Sequence, residues 1–250
     1  MTLLTLRSFK DERACPKRAS ALGLTTFPAA GDVEIRNILE HLEIGVADSS
    51  QEGGRLRVAF FRDPLARMVS LHGALRDERP EARAWFPDEE TARDMAALAK
   101  ALPVKEFASY AAGPVLEYIG NVQSRALMRD AGGDVRGLPA DPVGVCALLE
   151  QAYDFIGVYE YLPLAFQVFC LALGRLPSLE VLGVKELTPL WRTEDIDPVT
   201  RAVLRERYAS DILVWECAQS LFQAELDACQ GQLQENEYLA LREGEARGRP

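Results

Sequence analysis

The chain has 250 residues, 48% of them hydrophobic and 26% charged, enough apolar material for one large core. A formal net charge of −10 would repel nucleic acid and sulfated polymers over most of the surface, which excludes a general polyanion binder. No run reaches about 18 uninterrupted apolar residues, and charged residues follow Leu3-Leu4 at once, so neither a membrane span nor a secretory signal is expected.

Residues 3–9 have the composition of a possible strand, and a charged stretch from Lys10 to Arg13 follows. Residues 33–45, which include His41, read as a mixed segment, and residues 49–54 as a polar loop. Residues 58–61 are a short, bulky, β-favouring run suited to a buried parallel strand. Asp63 is then a good N-cap and Pro64 is preorganised for a first helical position, so a helix is expected over 64–75. That helix would start at the carboxyl end of a strand, where open α/β sheets bind ligands and where free N–H groups favour anions. Arg62 adds a planar donor fork and Ser70, two turns in, a hydroxyl; together they suit a phosphate.

Residues 76–87 read as a loop, with helices expected over 88–100, 103–111 and 114–129. Gly132-Gly133-Asp134 is a turn signal, and Asp141-Pro142 opens a helix to about residue 152. Residues 155–159 are a strand by composition, followed by an apolar helix ending near Gly174. Asp197-Pro198 starts one long amphipathic helix to about Gln230, and residues 231–250 form a polar, frayed tail. The five cysteines (Cys15, Cys146, Cys170, Cys217 and Cys229) are odd in number and contain no C-x-x-C, a pattern of reduced thiols in a cytoplasmic protein. Cys146, Cys170 and Cys217 sit among apolar residues and are expected in the core.

Four blocks in order resemble the carbohydrate-modifying sulfotransferases of the family 2 type, which use 3′-phosphoadenosine 5′-phosphosulfate (PAPS). Residues 61–70, Phe-Arg-Asp-Pro-Leu-Ala-Arg-Met-Val-Ser, are similar to that family's strand-R-D-P-x-x-R-x-x-S segment. Residues 121–127 resemble its N-x-Q-x-R-x-L helix, residues 153–160 its D-F-[IV]-G-[VL]-x-E strand, and residues 208–215 its closing N-x-x-D-x-x-[LV]-Y. The resemblance runs from about residue 55 to 225. It implies a P-loop nucleoside-kinase-like α/β fold, a parallel sheet flanked by helices with a helix-rich C-terminal half, in one domain over residues 1–230.

The resemblance also implies roles. Arg62 and Ser70 would hold the 3′-phosphate. The nearest match to the loop for the 5′-phosphosulfate, P-K-x-[GA]-[ST]-[ST], is residues 16–21, where Lys17 and Ser20 would bind the donor and Lys17 would stabilise developing charge. That loop is degenerate or truncated: it lacks the second hydroxyl, and the residues before it are too charged for a buried strand. Lys17 is equally readable as a solvated surface lysine. His41, in a segment similar to G-H-x-x-x-G, would take the proton of an acceptor hydroxyl, or else be a structural imidazole; Glu40 and Glu43 are alternative bases. His72 reads as packing. Gln123 and Arg125 would reach a ligand or brace the sheet, Asp154 and Glu160 would brace loops, and Trp191-Arg192 would stack on an adenine or sugar or else pack in the core or on the surface.

Other chemistries lack their motifs. There is no zinc-ligand spacing, so no metal is expected, and neither G-x-x-x-x-G-K-[ST] nor G-x-S-x-G occurs. The expected function is therefore sulfuryl transfer from PAPS to a hydroxyl, on a carbohydrate, in a cytoplasmic enzyme whose partners are small molecules. The alternative is a catalytically inactive sulfotransferase-like binding or assembly protein.

Overall fold

The computed structural model describes residues 22–25, 27, 32–41, 46–47, 56–83, 85–110, 118–173 and 196–247. Strand β1 (Leu22–Thr25) leads into helix α1 (Asp32–His41), then β2 (Val46–Ala47) and β3 (Leu56–Phe61). Among the described residues the helices α2 (Pro64–Arg76), α3 (Pro80–Arg83), α4 (Glu89–Ala101), α5 (Val104–Ser109), α6 (Val122–Asp130) and α7 (Pro142–Ala152) follow. Strand β4 (Phe155–Val158), α8 (Leu162–Ala172), α9 (Pro198–Arg207) and α10 (Ala209–Arg247) complete the order. This is an α/β arrangement, mostly helical, around a parallel sheet of order β2-β1-β3-β4.

Alternation along β3 builds two layers. Val58 and Phe60 face a cluster containing Leu24, Ile35, Ile38 and Leu39 of β1 and α1 and Phe166 and Phe169 of α8. Ala59 and Phe61 face the opposite cluster, with Val122, Ala126 and Leu127 of α6 and Val145 and Leu149 of α7. Phe60 is fully buried and stacks on Phe166 at 5.2 Å between ring centres; burial of such a ring contributes about 1.5–3 kcal/mol. Its register partner in β4 is Gly157, where any Cβ would lie 2.4 Å from the Phe60 ring. α10 packs into both layers, with Val214, Cys217 and Ala218 on one side and Phe222 and Cys229 on the other, and so covers the β4 edge of the sheet. A third cluster, built from α2, α4, α5 and α9, lies beyond it.

Several expectations change. Residues read as mixed, 33–45, contain α1, whose apolar positions Ile35, Ile38 and Leu39 recur at helical spacing and are all buried. The helix expected over 114–129 is interrupted: Asn121 sits at φ 40°, ψ 44°, in the left-handed region, and α6 starts only after it. The long C-terminal helix breaks at Tyr208, between α9 and α10, and α10 continues to Arg247 through the stretch expected to fray. The possible strand at 3–9 lies outside the described residues.

One feature of the topology positions a site. β1 passes the chain through α1 to β2 on one side, while β3 passes it through α2 to α7 to β4 on the other. The strand order therefore reverses between β1 and β3, and the carboxyl ends of these two strands flank the crevice where open parallel sheets bind ligands.

Candidate functional site

Arg62 is the first residue past β3, on the rim of that crevice. Its side chain is 5% exposed, and its Nη2 donates to Ser70 Oγ at 2.8 Å. Ser70 lies two turns along α2, so one helix carries the partner of the arginine that precedes it. Parallel register sets Phe61 beside Val158, and Tyr159 therefore emerges next to Arg62: the guanidinium carbon lies 4.5 Å from the Tyr159 ring centre. A cation–π contact of this kind contributes about 0.5–2 kcal/mol and holds the guanidinium plane.

The Arg62 backbone is held as firmly. Its N–H donates to Gln123 Oε1 at 3.0 Å, and its carbonyl accepts from Gln123 Nε2 at 2.8 Å. Gln123 is fully buried on the first turn of α6, and its side chain thus braces the strand end rather than reaching a ligand. Asp211, also fully buried, accepts the N–H groups of Gln123 at 3.3 Å and Ser124 at 2.8 Å, capping α6 from α10. Asn121 locks the same junction, accepting the Asp211 N–H at 3.3 Å and donating to the Arg207 carbonyl at 3.3 Å. The left-handed turn at Asn121 is what lets both bonds form, and asparagine tolerates it better than most residues. Glu160 Oε1 accepts the Asp63 N–H at 2.8 Å. The four sequence blocks, far apart in the chain, thus meet in one hydrogen-bonded network behind Arg62.

The N-terminus of α2 differs from expectation. Asp63 Oδ1 takes the N–H groups of Leu65 at 2.7 Å and Ala66 at 3.0 Å, so these first-turn donors already hold a carboxylate and are not free for an anion. The cationic character of the rim comes from arginines instead. Arg67, on the Ser70 face of α2, has no exposed surface; Nη2 donates to the Ile119 carbonyl at 3.0 Å, while Nε and Nη1 find no hydrogen-bond partner among the described residues. Burial lowers the Arg67 pKa, opposed by the nearby Asp211 charge and reinforced by Arg62 and Arg125. Burial likewise raises the Asp211 carboxyl, opposed first by Arg67 and then by the Ser124 and Gln123 donors. Sequence reasoning missed Arg67, Tyr159 and Asp211 as members of this network. All three stood inside the four blocks, Tyr159 at the variable position of the third, but spacing along the chain did not show that their side chains meet.

Of the remaining sequence-derived residues, some lie in other parts of the fold and some outside the described residues. Lys17 and Ser20 lie outside the described residues. Both precede β1 in the chain, whereas the β1–α1 connection is residues 26–31, Thr-Phe-Pro-Ala-Ala-Gly, which contains neither lysine nor arginine. His41 is the last residue of α1. β2 starts opposite Leu22, the first residue of β1, so α1 returns the chain to the amino ends of the strands. Ten helical residues span about 15 Å, and His41 is not brought to the rim that carries Arg62. Glu40, beside it, is exposed, and Glu43 lies outside the described residues. His72 is a core residue: its Nε2 meets the Leu102 carbonyl at 2.9 Å, and its ring packs edge-on against Phe107. Asp154 accepts the Arg57 N–H at 2.7 Å and joins β3 to the start of β4, as a brace. Trp191 and Arg192 lie outside the described residues. Among the described residues no cluster of side chains suited to a metal ion occurs, and no helix is long and apolar enough to cross a membrane.

The chain matches no known family, no curated protein and no protein of solved structure.

Proposed function

We propose that this chain binds a 3′-phosphorylated adenosine nucleotide, of which PAPS is the reactive form, in the crevice between β1 and β3. The single observation that carries the reading is the buried Arg62–Ser70 pair at the reversal of strand order: a guanidinium and a hydroxyl, 2.8 Å apart, both supplying donors at one point. A phosphomonoester there would accept from the Arg62 fork and from Ser70, bonds that are short and strong because the acceptor is ionised. The strand order and the succession of β1 and α1 support a nucleoside-kinase-like arrangement for the fold.

Such a donor serves sulfuryl transfer. The oxygen of a carbohydrate hydroxyl attacks sulfur in line, the sulfur–oxygen bond to the 5′-phosphate breaks, adenosine 3′,5′-bisphosphate leaves, and the hydroxyl proton passes to a base. Catalysis of this kind rests on positioning and charge stabilisation, not on a covalent enzyme intermediate.

A second reading, binding without transfer, is favoured by one observation. The connection that follows β1 carries no cation to meet a 5′-phosphosulfate, and His41 sits at the amino end of the sheet. The two readings separate in one experiment. With radiolabelled PAPS and a panel of oligosaccharides, transfer of label that survives in Ser70→Ala only at lowered donor affinity supports the enzyme. Protection of the protein by adenosine 3′,5′-bisphosphate against thermal unfolding, with no label transferred, supports the binding module. Neither protection nor transfer overturns both.

A further inference from the structure

Away from the crevice, two cysteines from distant parts of the chain meet. Cys146 lies on the second turn of α7 and Cys217 near the start of α10. Cys217 Sγ donates to the Pro142 carbonyl at 3.4 Å, and that carbonyl is the helical acceptor, four residues back, for the Cys146 N–H. The Cys217 sulfur therefore sits over the turn that carries Cys146, and the two side chains pack in one cluster between α7 and α10. Their exposure differs. Among the four described cysteines, Cys170, Cys217 and Cys229 are buried and Cys146 is partly exposed.

We propose that Cys146 and Cys217 are a two-electron redox pair, a modification site at which a peroxide closes a disulfide between α7 and α10. The peroxide reaches Cys146, the accessible sulfur, whose thiolate attacks the peroxide oxygen; the O–O bond breaks, giving a sulfenic acid and releasing water once the leaving hydroxide takes up the thiol proton. Cys217 then attacks the Cys146 sulfur, the S–O bond breaks, and its hydroxide leaves as water with the Cys217 proton. Two thiols are oxidised to one disulfide and one peroxide is reduced to two waters. A thiol reductant reverses the step by exchange.

The chemistry sets a rate. Burial and the neighbouring Cys146 thiol push the Cys217 thiol up, so the second step is slower than the first, and the sulfenic acid persists long enough to be trapped. The disulfide would tie α10 to α7 six residues, roughly 9 Å of helix, from Asp211, the residue that caps α6 behind Arg62. The pair needs no assumption about what the crevice binds.

The test uses the full chain, treated with a small excess of hydrogen peroxide, denatured in alkylating reagent and mapped without reduction. The expected result is a linked peptide pair containing Cys146 and Cys217, a rise in Tm of about 5 °C, and loss of both on adding dithiothreitol. Cys146→Ser, at a partly exposed position, should fold normally and show neither. Dimedone added with the peroxide should label Cys146 and suppress the link. The proposal is overturned if Cys217 is fully alkylated after oxidation while Cys146 ends as sulfinic acid, or if the link joins other cysteines.

Discussion

Replacing Gln123 by methionine tests how the strand end that presents Arg62 is held. The Gln123 amide exchanges two hydrogen bonds with one peptide, accepting the Arg62 N–H at 3.0 Å and donating to the Arg62 carbonyl at 2.8 Å, with no exposed surface at Gln123. Methionine keeps the length and removes both partners, leaving a buried N–H and a buried C=O without bonds. Each such group costs about 1–3 kcal/mol, so Gln123→Met should lose about 2–6 kcal/mol. Gln123→Glu keeps the acceptor for the N–H and, protonated at this buried position, can donate its hydroxyl to the Arg62 carbonyl, so at low pH it should lose less than methionine does and at high pH more. Urea unfolding followed by circular dichroism gives both values. A methionine variant within about 0.5 kcal/mol of the parent would show that the Arg62 peptide finds equivalent partners without Gln123 and that Gln123 does not hold the strand end.

Three further outcomes follow from other parts of the structure. Gly157→Ala places a methyl 2.4 Å from the Phe60 ring, itself boxed by Phe155 and Phe166, and should cost about 1–3 kcal/mol by urea unfolding, with β3 and β4 losing amide protection together. Arg67→Met removes the buried cation facing Asp211; in a double-mutant cycle with Asp211→Asn the coupling should be about 1–3 kcal/mol, and strict additivity would mean the two charges do not sense each other. The capping carboxylates Asp88 and Asp197 are held below their ordinary range, by the Thr91 N–H and hydroxyl and by the Thr200 hydroxyl and N–H respectively. The unfolded chain thus takes up these protons first on acidification. Their stabilisation is whole above the unfolded carboxylate pKa and is lost as pH falls through the folded values, so Asp88→Asn with Asp197→Asn should flatten the acid limb of a stability–pH curve.

Much of the region around Arg62 was legible because local rules agree there. A bulky run, an Asp N-cap and a Pro at the next position mark the junction of β3 and α2, and the structure puts β3 at Leu56–Phe61 and α2 from Pro64. The same local reading overestimated the helix N-terminus as an anion site, since a strong N-cap is itself the anion that fills it. β1 escaped notice for a different reason. Four residues with a glycine at the second give almost no periodicity, and the strand exists because β3 pairs with it, a long-range fact. The expected phosphate loop, residues 16–21, precedes β1 and lies outside the described residues, while His41 ends α1, which returns the chain toward the amino ends of the strands. The break at Asn121 was signalled by Gly120-Asn121, a pair that accepts left-handed backbone, but apolar residues on both sides of it matched one helical period. The convergence of Gln123, Asp211 and Glu160 on the Arg62 strand end is tertiary, and spacing along the chain says nothing of it.

Isothermal titration of adenosine 3′,5′-bisphosphate against adenosine 5′-monophosphate, on the parent chain and on Ser70→Ala, isolates the 3′-phosphate contact. The expected result is a Kd of about 1–10 μM for the bisphosphate, at least roughly tenfold weaker binding of the monophosphate, and a bisphosphate affinity in Ser70→Ala that falls toward the monophosphate value. Equal affinities for the two nucleotides, or no heat from either with folded protein, would contradict it.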